Sequence, residues 1–312
     1  MSTRYVGTLA MASAVCCFMS GTAWAQGSGV CTRTAEVAFK ACGFGVQDDL
    51  WIAEGNCDNL TDPGAQAACK KEASAAQTEG QELCEAQQEA REDTCKLLGE
   101  AAYDPQINPA KFVNPAKIGK TVVPNPFFPL VRGRTWYYKG GTQTITVTVT
   151  GDTREILGVT CAVVRDVVKD NGAVIEDTID WYAQDVNGNV WYFGESTQEF
   201  EDGVLARIDG SWMAGMDHAK PGLIMKAIPA VGNVYRQEFS LGNAEDMAEI
   251  LDLNGSATVP AASCVSNCLV TKEFTPVEPD LLEHKYYAHG IGFILEIEPA
   301  TGERLELVKI KY

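Results

Sequence analysis

The sequence predicts an α+β protein: a disulfide-stapled α-helical hairpin at the N-terminus, then a mainly antiparallel β domain that curls or closes like a barrel. Three observations predict it. Six cysteines between residues 31 and 95 are spaced as a palindrome. The stretch holding the last three of them is rich in Ala, Glu, Gln and Lys. From Thr135 onward the apolar pattern changes to period two, broken by Asn-Gly and Asp-Gly turns.

Residues 1–25 read as a secretory signal peptide. Arg4 gives a positive n-region, Val6 to Met19 is mostly apolar, and Ala23-Trp24-Ala25 sets small residues where a signal peptidase reads them. Cleavage after Ala25 would start the chain at Gln26. Val15 is a poor residue before the cysteine of a lipobox, so lipid anchoring through Cys16 is disfavoured. The remaining chain has no stretch of eighteen apolar residues, so no transmembrane segment is expected. The expected location is therefore periplasmic or secreted, where paired cysteines oxidise.

Residues 26–102 form the predicted hairpin. Cys31, Cys42, Cys57, Cys69, Cys84 and Cys95 are separated by 11, 15, 12, 15 and 11 residues, a series symmetric about Pro63. At about 100° per residue, 11 steps miss whole helical turns by about 20° and 15 steps by about 60°. Each arm thus carries its cysteines on one stripe, and two antiparallel arms meet first to last. The expected pairs are Cys31–Cys95, Cys42–Cys84 and Cys57–Cys69. Asp62-Pro63-Gly64 supplies the fold-back. Gly43, Gly45 and Gly55 weaken the first arm, so a bend or short break is expected there. A metal or redox site is the rival reading. It has no His and no Cys-x-x-C in residues 26–102 to support it.

Residues 103–130 hold six of the 13 prolines and read as a linker, or as a strap lying on a neighbouring surface. Phe112, Ile118, Phe127 and Phe128 favour partial docking. Residues 131–312 follow as the β domain. Thr142 to Thr150 alternates cleanly, after a Gly140-Gly141 turn. Further strands are expected near 157–169, 174–184, 190–200, 204–213, 234–241, 268–275, 283–289, 292–298 and 304–311. Asn171-Gly172, Asn187-Gly188, Asp202-Gly203 and Thr301-Gly302 mark turns between them. Residues 243–253 read as a short helix.

Four stretches of residues 125–312 resemble an uncharacterised family of secreted bacterial β-rich proteins. They are Asn125-Pro-Phe-Phe-Pro-Leu130 leading to Trp136, Asp180-Trp-Tyr-Ala-Gln-Asp185, Gly188-Asn-Val-Trp-Tyr-Phe-Gly-Glu195 and Lys285-Tyr-Tyr-Ala-His-Gly-Ile-Gly-Phe-Ile-Leu-Glu296. The last is similar to a Tyr-Tyr-Ala-Pro-Gly-Val-Gly strand–turn–strand of cell-envelope β proteins, with His289 in the proline position. The resemblance implies a β fold and an envelope location, and no activity.

The formal charge is −17, which argues against nucleic acid or an anionic membrane as partner. Arg4 contributes +1 within residues 1–25, and the rest divides as −8 on residues 26–102, +2 on the strap and −12 on residues 131–312, which favours the strap docking on an acidic face. Adjacent aromatics recur along the strands, and neighbours on a strand point to opposite faces. Both faces of the sheet therefore carry rings. One face fills a core; the other needs cover by the hairpin, the strap or a ligand. Trp136, Tyr138, Trp181, Trp191, Phe193 and Tyr286 are the candidate ligand contacts, for an apolar or carbohydrate ligand.

Two metal sites are conceivable. Asp185, Asn187, Asn189 and Glu195 suggest a calcium loop, but the EF-hand spacing fails and an Asn-Gly hairpin is the preferred explanation. Met213, Met216 and His218 offer soft donors for copper. Cys264 and Cys268 are expected to form a local disulfide bracing a loop, with a redox pair as the alternative. Cys161, in an apolar strand, is expected as a buried inert thiol. No nucleophile elbow, zinc-protease or phosphate-loop motif is present. The expected role is a non-enzymatic binding or interaction protein of the bacterial cell envelope, with a small ligand or an envelope protein as partner. A calcium- or copper-binding periplasmic protein, then a hydrolase, are the alternatives. No cofactor is expected otherwise.

Overall fold

The computed structural model describes residues 29–312; the signal-peptide reading and its cleavage site lie outside them. Two long helices come first, α1 (Val30–Asp58) and α2 (Pro63–Leu98). They are antiparallel and joined by the turn at Asn59–Asp62. The turn chemistry acts as its residues suggest: Asp62 caps α2 by accepting from the Ala65 N–H at 2.7 Å, and Pro63 opens the first turn, where its missing N–H costs nothing. The three nested disulfides are present: Cys31–Cys95, Cys42–Cys84 and Cys57–Cys69.

The expected break in the first arm does not occur, and α1 runs unbroken through Gly43, Gly45 and Gly55. Each helical glycine costs about 1 kcal/mol, but a nested staple contributes ~2–4 kcal/mol and holds the arm against its partner. Gly80 has a positive role. A Cβ there would lie 2.9 Å from Val46 Cγ2, so the glycine lets the two helices close up.

The strap is ordered and docked. It contains two single-turn 3₁₀ segments, Pro109–Lys111 and Pro115–Lys117, each started by an asparagine whose side chain accepts a backbone N–H. Asn125 is fully buried and pins it down. Its amide donates to the carbonyls of Gly188 and Lys226, and its Oδ1 accepts from the N–H groups of Phe127 and Phe128. Gln184 reciprocates, accepting from the Asn125 N–H and donating to the Val123 carbonyl.

Fifteen strands follow. They are β1 (Thr135–Gly140), β2 (Gln143–Ile156), β3 (Val159–Asp170), β4 (Ala173–Gln184) and β5 (Val190–Glu201). Next come β6 (Val204–Arg207), β7 (Trp212–Met213), β8 (Lys220–Met225), β9 (Val234–Arg236) and β10 (Glu238–Phe239). The last are β11 (Met247–Val259), β12 (Ala262–Phe274), β13 (Leu282–Ala288), β14 (Gly292–Ile297) and β15 (Arg304–Lys311). All pair antiparallel, in the order β10-β8-β5-β4-β3-β2-β1-β15-β14-β13-β12-β11-β9, with β6 and β7 also on β5. The two ends of that ribbon, β9 and β10, are separated in the chain by Gln237 alone. One kinked segment thus stitches both edges, and the sheet is nearly a barrel. Closure of this kind removes exposed edges.

Two expectations are corrected here. Residues 243–253 are not helical: the segment becomes β11 from Met247, with Met247, Ala248 and Ile250 fully buried between β9 and β12. Tertiary pairing overrides the helical propensity of Ala, Glu and Met there. The strand expected at 204–213 is two short pieces, both on β5.

The helical hairpin is tied to the barrel by a buried ion pair. Arg91 Nη2 lies 2.8 Å from Glu245 Oε1, and Arg91 Nε reaches both carboxylate oxygens at 3.0 and 3.2 Å. The Gly242 N–H adds a bond to the same carboxylate at 2.8 Å. Gln87 donates to the Val277 carbonyl, and Tyr103 donates to that of Pro221. No helix among the described residues is long and apolar enough to cross a membrane.

Candidate functional site

The barrel interior contains a pocket of about 440 Å³ lined by residues of ten strands and by Phe127–Leu130 of the strap. One wall is aromatic. Tyr182 and Tyr192 stack at 4.6 Å, Tyr138 lies 4.9 Å from Phe293, and Phe128 meets Tyr182 edge-on at 5.0 Å. The other wall is acidic, and it has two unlike ends.

At one end a cation is already present. Lys285 Nζ lies 3.0 Å from Glu273, 2.9 Å from Glu283 and 3.6 Å from Glu296. Burial alone would pull the Lys285 ammonium down, but the three glutamates outweigh it and hold it well above its ordinary value. Burial likewise opposes the Glu273 charge. Lys285, with hydrogen bonds from Tyr287 and Thr271, reverses that and keeps Glu273 below the usual range.

The other end carries Asp166 on β3, Glu176 and Asp180 on β4, and Glu195 on β5. None has an ion-pair partner among the described residues. Glu195 reaches this place through a bulge. On β4 the step from Asp180 to Tyr182 is two residues; on β5 the matching step from Glu195 to Tyr192 is three. The extra residue puts Tyr192 and Glu195 on the same face, which plain alternation forbids. Gly194 makes the bulge possible. Its φ is +131°, and a Cβ there would lie 2.3 Å from the Trp212 carbonyl oxygen.

A single hydroxyl links two of these acids. Tyr192 Oη is 2.7 Å from Asp180 and 3.0 Å from Glu195. One hydroxyl has one hydrogen, so the second contact requires a proton on a carboxyl. The shorter contact takes the Tyr192 hydrogen; Glu195 keeps a proton and donates it to the phenol oxygen. The acidities agree. Burial first, then the Asp180 charge, pushes Glu195 up to about 8, and burial pushes Asp180 to about 6 against hydrogen bonds from Tyr192 and Tyr182. Burial, then the charges of Asp180, Glu176 and Glu195, raises Asp166 well above the carboxylate range. Its Oδ1 is shielded from solvent and has no hydrogen-bond partner.

The structure places the candidate ligand residues unevenly. Trp136 and Tyr138 line the pocket. Trp181, Trp191, Phe193 and Tyr286 do not; Tyr182 and Tyr287, the immediate neighbours of Trp181 and Tyr286, line it instead. Phe193 and Trp191 are covered from outside by Phe112 of the strap, at 5.6 and 6.2 Å. Trp181 is buried beneath the Arg154 guanidinium, 4.3 Å from its ring. The acids Asp166, Asp180 and Glu176 carry no motif and escaped the sequence reading. The signal present was an acid two residues before an inward tyrosine, in Asp180-Trp181-Tyr182.

The metal candidates are dispersed. The Asp185 carboxylate accepts from the N–H groups of Asn187 and Asn189 and from the side chains of Asn189 and Trp191, so N–H donors occupy it. Glu195 belongs to the interior cluster instead. Met213 is half-buried, while Met216 and His218 are exposed in the following turn. Among the described residues no three His, Cys, Asp or Glu side chains are arranged to hold a metal ion. Cys264 and Cys268 are bonded across a bulge in β12, and Cys161 is a buried free thiol that burial pushes up to about 12.

Fold and site together define a helical hairpin docked on a nearly closed antiparallel barrel with an aromatic, acid-lined interior. No family model and no curated protein matches the chain. Among solved structures it is similar to a candidate lipoprotein from Parabacteroides distasonis, at 12% identity and a TM-score of 0.34, over 61% of this chain and 100% of that one.

Proposed function

We propose that this chain is an exported binding protein of the cell envelope whose barrel interior holds a small ligand. The observation that supports it is the pocket of about 440 Å³ with seven aromatic side chains in its lining. That volume falls in the range of small-molecule sites, and rings with a few polar groups are their usual lining. Four disulfides support export, since they persist in oxidising compartments. The pocket is built from strands of a nearly closed sheet and floored by a pinned strap, so it is formed before a ligand arrives.

The test uses N-phenyl-1-naphthylamine, a neutral apolar fluorophore. Saturable one-to-one binding is expected, lost in Ile145→Trp, which fills the pocket from β2. Absent binding, or binding indifferent to Ile145→Trp and to a second filling variant, Leu305→Trp, would overturn the reading. Export is checked separately by the mass of the protein recovered from its host, which should begin at Gln26.

A further inference from the structure

The two ends of the acidic wall differ in one respect that selects a ligand. Lys285 neutralises Glu273, Glu283 and Glu296 from within. Asp166, Glu176, Asp180 and Glu195 face the same space with no cation of their own. Three of these four have a hydroxyl partner: Thr178 donates to Glu176, Tyr192 and Tyr182 donate to Asp180, and Glu195 donates its proton to the Tyr192 oxygen. Asp166 keeps an oxygen with no partner at all, and what surface it retains opens on the pocket.

A neutral or anionic head group brought here would leave these acids desolvated and unpaired, which is costly. A hard metal ion needs several oxygens converging on one point, and the acids are spread around the wall rather than focused. A cationic head with an apolar body answers both walls. The head meets carboxylates, and the body meets the ring faces of Tyr138 and Tyr182, which also attract positive charge. Resting on the reading of the pocket as a ligand site, we infer that it selects a small organic cation, an amine with an apolar body, and takes it up in exchange for a proton released to solvent from the Asp166–Glu195 group.

The exchange follows from the charges around Asp166. Glu176, Asp180 and Tyr182 face it from β4, Glu195 from β5, Tyr138 from β1 and Lys285 from β13, while Asp246 and Glu238 add negative charge beside Glu195. Only Lys285 among these opposes proton retention, and three glutamates share it. An ammonium arriving at the vacant end stabilises the carboxylate form and expels the proton held there.

The experiment is calorimetry on the full chain with 2-phenylethylamine, 2-phenylethanol and phenylacetate at pH 7, in phosphate and in Tris. The amine should bind at least about tenfold tighter than the alcohol, and phenylacetate should not bind. The heat of amine binding should differ between the two buffers in the sense of proton release, and affinity should fall at pH 5, where the amine is still charged. Asp166→Asn should weaken the amine by about tenfold; its melting temperature confirms that it is folded. Equal affinity for amine and alcohol, or tighter phenylacetate binding, or amine binding with no buffer dependence and no response to Asp166→Asn, would overturn the inference. If N-phenyl-1-naphthylamine still binds in that case, the pocket is a ligand site of other specificity. If it too fails to bind, the underlying reading falls with the inference.

Discussion

Replacing Glu195 with glutamine should stabilise the ligand-free protein above pH 8 and leave it nearly unchanged below pH 4.5. Glu195 holds its proton in the folded barrel up to about 8, against an ordinary value of 4.5. Below 4.5 both folded and unfolded chains are protonated at this position, and its contribution to stability is fully present. As the pH rises toward 8 the unfolded chain ionises while the folded one keeps the proton, so stability is lost across that window. The ceiling on that loss is about 5 kcal/mol. Asp180 and Asp246, each raised to about 6 by burial, add slopes of the same sign, which largely cancel in a comparison of variants. Glutamine keeps the geometry, because its amide can donate to the Tyr192 oxygen as the protonated carboxyl does, while Tyr192 still donates to Asp180. The assay is urea denaturation of wild type and Glu195→Gln at pH 4.5, 7 and 9. A gap that opens with pH, reaching about 2–5 kcal/mol at pH 9, is expected. A gap independent of pH, or a variant less stable than wild type at pH 9, would refute the protonated Glu195–Tyr192–Asp180 arrangement.

Arg91→Ala leaves Glu245 buried without its cation and should cost about 3–5 kcal/mol in thermal or urea unfolding, whereas Arg91→Met with Glu245→Leu should recover most of it. A loss under 1 kcal/mol would show that the hairpin is held by its other contacts. Asn125→Ala removes the side chain that pins the strap and should cost about 1–3 kcal/mol, with faster proteolysis between residues 103 and 130 as the readout. The Cys161 thiol, raised to about 12 by burial, should resist iodoacetamide at pH 8 in the folded protein and react once it is unfolded. Removing the middle staple with Cys42→Ser and Cys84→Ser should cost about 2–4 kcal/mol and frays α1 at its glycines, seen as lost helical circular dichroism.

The hairpin was legible from the cysteines because a covalent bond between helices imposes a local arithmetic. A disulfide needs both sulfurs on facing stripes at matched heights, so the 11-15-12-15-11 spacing admits a simple antiparallel solution. The β turns were legible for a similar reason: Asn171-Gly172 and Asp202-Gly203 adopt positive φ, which few residue pairs do cheaply. Alternation also foretold that both faces of the sheet carry rings and that something must cover the second face. It could not say which face turns inward. That choice belongs to barrel closure, so Trp136 and Tyr138 fell on the pocket while Trp181 and Trp191 fell outside it.

The acidic end of the pocket needed tertiary structure altogether. Asp166, Asp180 and Glu195 come from three strands, and a bulge of one residue at Gly194 decides whether Glu195 points in or out. An acid's sequence neighbours do not reveal its depth, and depth sets where its proton is held. Chain chemistry by itself determined the staples, the turns and the period-two strands, because those depend on residues a few positions apart or joined by a bond. The nearly closed sheet decided which rings and carboxyls share one space, because that depends on register summed over many strands, where a single inserted residue reverses a face.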